Sequence, residues 1–425
     1  MSAFILIAGF LLMIVIGFPI AFALGLSSVL YMLINGISLL VIPQAIASAF
    51  ESFPLMAIPL FMLAGQLMNS GGITDRIFRF ANNLVGHIPG GLGHVNVVAS
   101  MIFAGMSGSA VADSAGLGSI EIKAMVEEGF DPDFSAAITA ASSTIGPVIP
   151  PSIPMVLYGA MAGVSVGKLF IGGIVPGVLM GIALMVGCYI QAIRLNYPRH
   201  PRVSFMTIVK SFISAAPSLA TPAIIIGGIM TGIFTPTEAA GVAVIYALIL
   251  GTLIHRELTW RDLLRNLLDV GRSTTSIMLI VSMASVFGWV LAYEMIPQQV
   301  ASAILSYTTN RYVILLLVNI LLLIVGCFME TIAILLVLVP MLVPVVSAVG
   351  VDLLHFGLIV VLNVMIGLIT PPVGVCLYVV ADLAKISFER VMKATMPFLI
   401  ILIVVLLIVT YVPIVVTWLP NVMGM

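Results

Sequence analysis

The chain has 425 residues, of which 61% are hydrophobic and only 8% charged, with a formal net charge of −1. A soluble domain is roughly 25% charged, so this chain cannot solvate its own surface and the lipid bilayer must serve as its solvent. The balanced charge excludes a nucleic-acid partner. The three cysteines, Cys188, Cys327 and Cys376, lie far apart in apolar runs and make neither a metal spacing nor a disulfide framework.

A membrane crossing needs about 20 mostly apolar residues, and nine segments qualify. The first, 4–33, lacks a basic leader and is too long for a signal peptide, so it reads as a retained first span. After it, 37–50 reads as an amphipathic arm helix along the membrane face, and 54–70 as a second span. Residues 94–128 run apolar to MSGSAVADSAG, then end in EIKAMVEEG. Each part is short for a crossing, so the segment reads as a re-entrant hairpin. Polar backbone at that depth is tolerated only where protein or a water-filled cavity covers it. The span 133–160 is broken inside by Gly146, Pro147, Pro150, Pro151 and Pro154. Spans follow at 166–195, 212–232 and 236–254, then a second arm helix at 258–271 and a span at 273–293. Residues 312–349 form a second hairpin around CFMET. The broken span 353–380 and a last span, 387–418, complete the chain.

The order repeats. At an offset of 221 positions, Gly129/Gly350, Asp131/Asp352, Ile138/Ile359, Ile145/Ile366, Gly146/Gly367, Pro150/Pro371 and Pro151/Pro372 coincide without a gap. The same offset maps arm onto arm, hairpin onto hairpin and 166–195 onto 387–418, leaving 212–232 as an odd helix that joins the halves. With the loop 194–202 in the cytoplasm, 14 of the 16 Lys and Arg residues fall inside, and only Lys168 and Arg311 fall outside. The first broken span then runs outward and the second inward, so the repeats are inverted. The N-terminus is expected inside and the C-terminus outside.

The expected fold class is an all-α polytopic membrane protein with inverted repeats, two re-entrant hairpins and two broken helices. Paired helix breaks at bilayer depth are the sign of a secondary transporter. The domain plan is a first-half scaffold at 1–90, a first-half transport region at 91–195, a linker and second-half scaffold at 196–311 and a second-half transport region at 312–425. No phosphate cradle and no catalytic triad are present, so neither ATP hydrolysis nor another enzyme activity is expected.

The chemistry is expected at the breaks. Prolines remove backbone donors, freeing carbonyls near Thr144, Gly146, Ile149 and Pro151, which are costly to bury unless satisfied. A sodium ion, which takes oxygen ligands, would satisfy several at once. The first hairpin tip adds Ser107, Gly108 and Ser109, and the half-helix that starts there points its positive end at the cavity. The second half pairs Gly326, Glu330 and Thr331 with Gly367, Thr370, Pro371 and Pro372. Asp113 and Glu330 are the deepest carboxylates. Each is a candidate functional group or, equally, a structural helix-end carboxylate. The matched Asp131 and Asp352 read as caps, and His87, His94 and His355 as interfacial.

The stretches FPLMAIPLFMLAGQLMNSGGITDRI (53–77), GMSGSAVADSAGLGSIEIKAM (105–125), STIGPVIPPSIPMVLYG (143–159), GIFTPTEAAG (232–241) and GLITPPVGVCLYV (367–379) resemble the large membrane subunit of TRAP transporters, the DctM-like family within the ion-transporter superfamily. The resemblance spans essentially the whole chain. It implies a sodium-driven importer of organic acids in the bacterial inner membrane, working by an elevator motion. Its partners would be a periplasmic substrate-binding protein and a small four-helix membrane subunit, the latter a separate chain. Carried over by position, a first sodium site would involve Ser107, Gly146, Ile149 and Pro151, and a second Gly326, Thr331, Gly367 and Thr370. A carboxylate substrate, with a lean toward sialic acid over C4-dicarboxylates, would lie among Ser107, Gly108, Ser109, Thr144, Glu330 and Thr331. Asp113, Pro150, Pro371 and Pro372 would support these sites. Three alternatives stay open: a stand-alone divalent-anion:sodium symporter, a proton-coupled antiporter using Glu330 and Asp113, and an assembly or receptor subunit without transport of its own.

Overall fold

The computed structural model describes residues 2–424, with side chains at all of these except 2–5 and Ser107. Every regular element among the described residues is a helix, and seven are long and apolar enough to cross a membrane. The first half comprises α1 (Ser2–Ile16), α2 (Ile20–Ile34), the arm α3 (Val41–Phe50), α4 (Ala57–Ser70) and α5 (Ile73–Val85). The hairpin α6 (Gly91–Ser107) and α7 (Ala110–Glu127) follows, then the broken pair α8 (Pro132–Ser143) and α9 (Ile153–Ala162), then α10 (Val166–Leu195). The second half comprises α11 (Phe205–Met230), α12 (Pro236–Ile249), α13 (Trp260–Tyr293), α14 (Ile296–Tyr307), the hairpin α15 (Arg311–Gly326) and α16 (Thr331–Ala348), the broken pair α17 (Leu353–Gly367) and α18 (Val375–Ala384), and α19 (Phe388–Tyr411) with α20 (Ile414–Val422).

The repeat is visible in these boundaries, since α7 moved by 221 positions coincides with α16. The two broken pairs run antiparallel. The Tyr158 hydroxyl near the end of α9 donates to the Leu353 carbonyl at the start of α17, at 2.7 Å. At the other end, Asp133 at the start of α8 pairs with Arg390 at the start of α19, at 3.0 Å. A segment whose end meets the start of its counterpart, and whose start meets the region beyond its counterpart's end, runs the other way. The repeats are inverted, as the charge distribution requires.

Several expectations are corrected. Residues 4–33 are not one span. The chain reverses at Gly17–Pro19, with Gly17 at φ +95° and the Phe18 amide donating to the Met13 carbonyl. A β-carbon built on Gly9 would lie 4.0 Å from that of Ser27. In one straight helix these residues would be about 27 Å apart, at 1.5 Å per residue. The pair α1–α2 is therefore an antiparallel hairpin. Its counterpart is α11–α12, in which the Tyr246 hydroxyl donates to the Pro217 carbonyl at 2.7 Å across the two helices. Helix α11 is thus not an odd linker but the longer partner of α1. The exchange is reciprocal: α2 packs on α13, and α12 packs on α4.

The second arm and the span after it form one continuous helix, α13. In the first half, Pro54 and a 3₁₀ turn at Phe53–Met56 separate arm from span. The equivalent stretch of α13 holds no proline, and a reciprocal Thr259–Asp262 cap starts it. Helices α5 and α14, matched at the offset, were not expected at all. Helix α5 begins with Arg76 paired to Glu257 at 2.7 Å. The last span stops at Tyr411, ahead of Pro413. His94 and His355 are buried, not interfacial; the His355 Nε2 lies 2.8 Å from the Val409 carbonyl. Asp352 caps α17 through the Leu354 and His355 amides. Asp131 makes no such cap and accepts from the Tyr197 hydroxyl at 2.7 Å. Burial and that neighbouring carboxylate push the Tyr197 phenol up, so it remains a neutral donor.

Candidate functional site

At the first break the helix gives way to successive turns after Ser143. The Thr144, Gly146 and Val148 amides donate back to Ala141, Ser143 and Ile145. The Ser152 hydroxyl takes the Pro147 carbonyl at 2.5 Å and caps the new helix at the Met155 amide. Among the described residues no donor reaches the carbonyls of Gly146, Ile149 or Pro151. The first hairpin tip rests on this break. Gly108 is left-handed at φ +62°, and a β-carbon on it would fall 2.9 Å from the Pro151 carbonyl oxygen. Ser109 caps α7 at the Ala112 amide. Asp113, one turn into α7, presses its carboxylate against Gly146, where an added β-carbon would lie 2.2 Å from Oδ2. Ser107 ends α6; its side chain lies outside the described residues.

The second break has the same plan with other residues. Gly326 at the end of α15 touches Gly367 at the end of α17; a β-carbon on either would fall 2.8–3.1 Å from the other's Cα. The Thr370 hydroxyl donates to the Ile366 carbonyl at 2.7 Å and its amide to the Gly367 carbonyl at 3.0 Å. Thr331 opens α16 and Glu330 occupies the N-cap position. Both Pro-Pro bonds, 150–151 and 371–372, are cis.

Each hairpin is tied to its break by a buried amide. Asn96 on α6 donates to Thr139 at 2.7 Å and accepts from Ser142 at 2.6 Å. Asn319 on α15 accepts from Asn363 at 2.9 Å and donates to Thr410 at 2.9 Å. Ser142 and Asn363 are equivalent at the offset, so one tether is written twice in different side chains.

A cavity of about 630 Å³ lies where the tips and breaks meet the scaffold. One wall is Gly108, Ser109, Ala110, Pro147, Ile153, Glu330, Thr331 and Leu368. The facing wall is Gln66 and Asn69 of α4 with Ser273 and Ser276 of α13. These four scaffold residues were missed by sequence reasoning, although two polar pairs spaced by three within apolar helices were a readable signal. Thr144 is not brought to this cavity. It is fully buried and its hydroxyl donates to the Ala141 carbonyl at 2.6 Å. Glu330, Thr331 and Ser109 line this one cavity, while Gly326 and Gly367 form a backbone crossing where α15 and α17 end.

Inverted repeats, two hairpin tips, two broken helices and a shared central cavity are the architecture of a membrane transporter. A solved structure of the Alcanivorax borkumensis YdaH transporter shares this fold, with a TM-score of 0.66 over 88% of each chain at 13% identity. Residues 7–415 match the family model of the tripartite ATP-independent periplasmic transporter, DctM component. The chain is 46% identical to the sialic acid TRAP transporter large permease protein SiaM of Vibrio cholerae, over 96% of each chain. It is 40% identical to the C4-dicarboxylate TRAP transporter large permease protein DctM of the same organism, over 98% of this chain and 96% of that one. The chain belongs to the DctM family of TRAP transporter large permeases.

Proposed function

We propose that this chain is the membrane-crossing subunit of a sodium-driven importer of a carboxylate, of the sialic acid or C4-dicarboxylate class, in the inner membrane. The observation that carries this reading is the cavity between tips and scaffold. Its two walls come from two sets of elements, proposed here to move as separate bodies: both hairpins and broken helices on one side, α4 and α13 on the other. A substrate held there crosses when the first body slides against the second.

Sodium ions fit the two breaks by the chemistry of the donors. At the first, the Gly146, Ile149 and Pro151 carbonyls offer neutral oxygens, joined by Ser107 by position. At the second, the set carried over by position is Gly326, Thr331, Gly367 and Thr370, with Gly326 and Gly367 in backbone contact. Neutral oxygen sets suit a small hard cation, and the ions compensate the substrate's negative charge during the crossing. The substrate arrives on a periplasmic binding protein, and the small membrane subunit braces the apolar outer face of the scaffold. With the basic loop 194–202 in the cytoplasm, the α1–α2 reversal carries the start of α1 to the periplasmic face, and α20 ends there too.

The test is uptake of labelled N-acetylneuraminate and succinate into proteoliposomes holding the large and small subunits, with the binding protein outside. Uptake that persists without a sodium gradient defeats the sodium-driven reading. Uptake without the binding protein favours a self-sufficient symporter instead.

A further inference from the structure

Two three-helix junctions, related by the repeat, hold the hairpins to the broken spans. In the first, α7 and α8 pack on each other and on α18, the last limb of the second broken span. In the second, α16 and α17 pack on each other and on α9. Each junction joins the hairpin and break of one half to the far limb of the other half's break.

Their cores differ in kind. The first holds Ser114 of α7, Ser143 of α8 and Cys376 of α18, all buried. At the offset of 221 the second holds Leu335, Val364 and Met155, equally buried. An apolar core is enough to pack such a junction, so the polar one asks for another reason. Its groups are satisfied by one another and by backbone. The Ser114 hydroxyl donates to the Ser143 oxygen at 2.8 Å, and the Ser143 hydroxyl to the Ala140 carbonyl at 2.8 Å. The Cys376 sulfur interacts with both hydroxyls. Both hydroxyl protons are already committed, so the thiol acts as the donor. Moving any one of the three helices strands a buried polar group, which is costly.

The three residues stand between the breaks. Ser143 ends α8 just before Gly146, and Ser114 follows Asp113, whose carboxylate presses on Gly146. Cys376 lies in the first turn of α18, and its amide donates to the Leu368 carbonyl at 3.1 Å, closing the second break. A shift of the first break therefore reaches the second along the chain from Ser143 to Cys376. Contacts among Leu335, Val364 and Met155 are apolar and non-directional, and they transmit no such constraint.

Resting on the sodium reading above, we infer that Ser114, Ser143 and Cys376 are positioning residues that couple the two ion sites, so that an ion held at the first break raises the affinity of the second. Coupling of this kind is reciprocal and typically about 5- to 150-fold. The two sites then fill together, and a transport body holding a single ion is a minor species.

The experiment follows the melting temperature of the purified large–small subunit complex against sodium concentration, with choline holding the ionic strength constant. The parent should respond steeply, with a Hill coefficient of about 2. Cys376→Ala, which removes the thiol donor, should respond with a coefficient of about 1 and require about fivefold more sodium for half the effect. Cys376→Ser restores a donor and should recover the parent's slope, a rescue that a purely space-filling role would not produce. Ser114→Ala and Ser143→Ala should each repeat the loss, and they carry the test where Cys376→Ala does not fold. Met155→Leu, in the apolar junction, should leave the slope unchanged. A shallow parent curve, or alanine variants as steep as the parent, overturns the inference and leaves the sodium-driven importer standing. A parent whose melting ignores sodium overturns the ion sites and the inference with them.

Discussion

Gly326 and Gly367 meet backbone to backbone: a β-carbon on Gly367 would sit 2.8 Å from the Cα of Gly326. The contact joins the end of the first limb of the second hairpin to the end of α17, where the helix breaks. No side chain can give way there, because the obstructing atoms are main chain. Gly367→Ala is expected to destabilise the protein by about 1–3 kcal/mol, as overpacking does. On the proposed sodium site, the parent should melt higher in sodium than in choline, and Gly367→Ala should lose that rise. A thermal scan in sodium against choline chloride checks both. A full sodium response in Gly367→Ala would remove this crossing from the ion site.

Thr370 tests the same site without steric change. Its hydroxyl donates to the Ile366 carbonyl, leaving its oxygen as an acceptor. Thr370→Ala loses one hydrogen bond, for a cost of about 1 kcal/mol. The expected signature is a several-fold higher sodium concentration for half-maximal uptake. An equal loss of stability with an unmoved sodium curve would make the hydroxyl merely structural.

Gly146 and Asp113 make the corresponding contact in the first half, but here side chain meets backbone. The methyl of Gly146→Ala would fall 2.2 Å from Asp113 Oδ2, so the carboxylate must leave its seat. Transport should be lost and stability should fall by about 1–3 kcal/mol. Shortening Asp113 to Ala in the same protein relieves the clash, so the double variant should melt above the single Gly146→Ala variant. Additive losses in this cycle would show that the two residues do not interact.

The buried tether of the second half predicts a larger effect. Asn363→Ala removes both donations to Asn319 and empties a fully buried site. Stranded polar groups and a new cavity together cost about 2–5 kcal/mol. Denaturation of the purified protein in mild detergent measures it. Ser142→Ala, at the equivalent position, should cost less, because Asn96 keeps its bond to Thr139.

The reversal at Gly17–Pro19 is open to a direct chemical test. With Gly9 and Ser27 both changed to Cys, the β-carbons would be 4.0 Å apart, within the range that forms a disulfide. Oxidation should crosslink them nearly completely. A single straight span would hold them about 27 Å apart and give none.

The sequence by itself determined the solvent, the two-fold repeat, its inversion and the residues of both breaks. These follow from local facts: apolar run length, proline and glycine chemistry, and the side on which basic residues accumulate. Hence Gly146, Ile149, Pro151, Gly326, Gly367 and Thr370 could be named from the chain alone. Tertiary structure decided what depends on which way a helix faces or where a chain turns. The reversal at Phe18 was illegible because apolar residues satisfy a hairpin in lipid as well as a single span, and only contact between Gly9 and Ser27 separates the two. Thr144 resembled a cavity residue until burial turned it away, a matter of rotation about its own helix. Gln66, Asn69, Ser273 and Ser276 became a wall only when α4 and α13 were brought opposite the tips. Ser109 and Glu330 show the division most plainly. Their equivalence was written in a spacing of 221, but that one caps its helix while the other faces the cavity is a property of the folded packing around them.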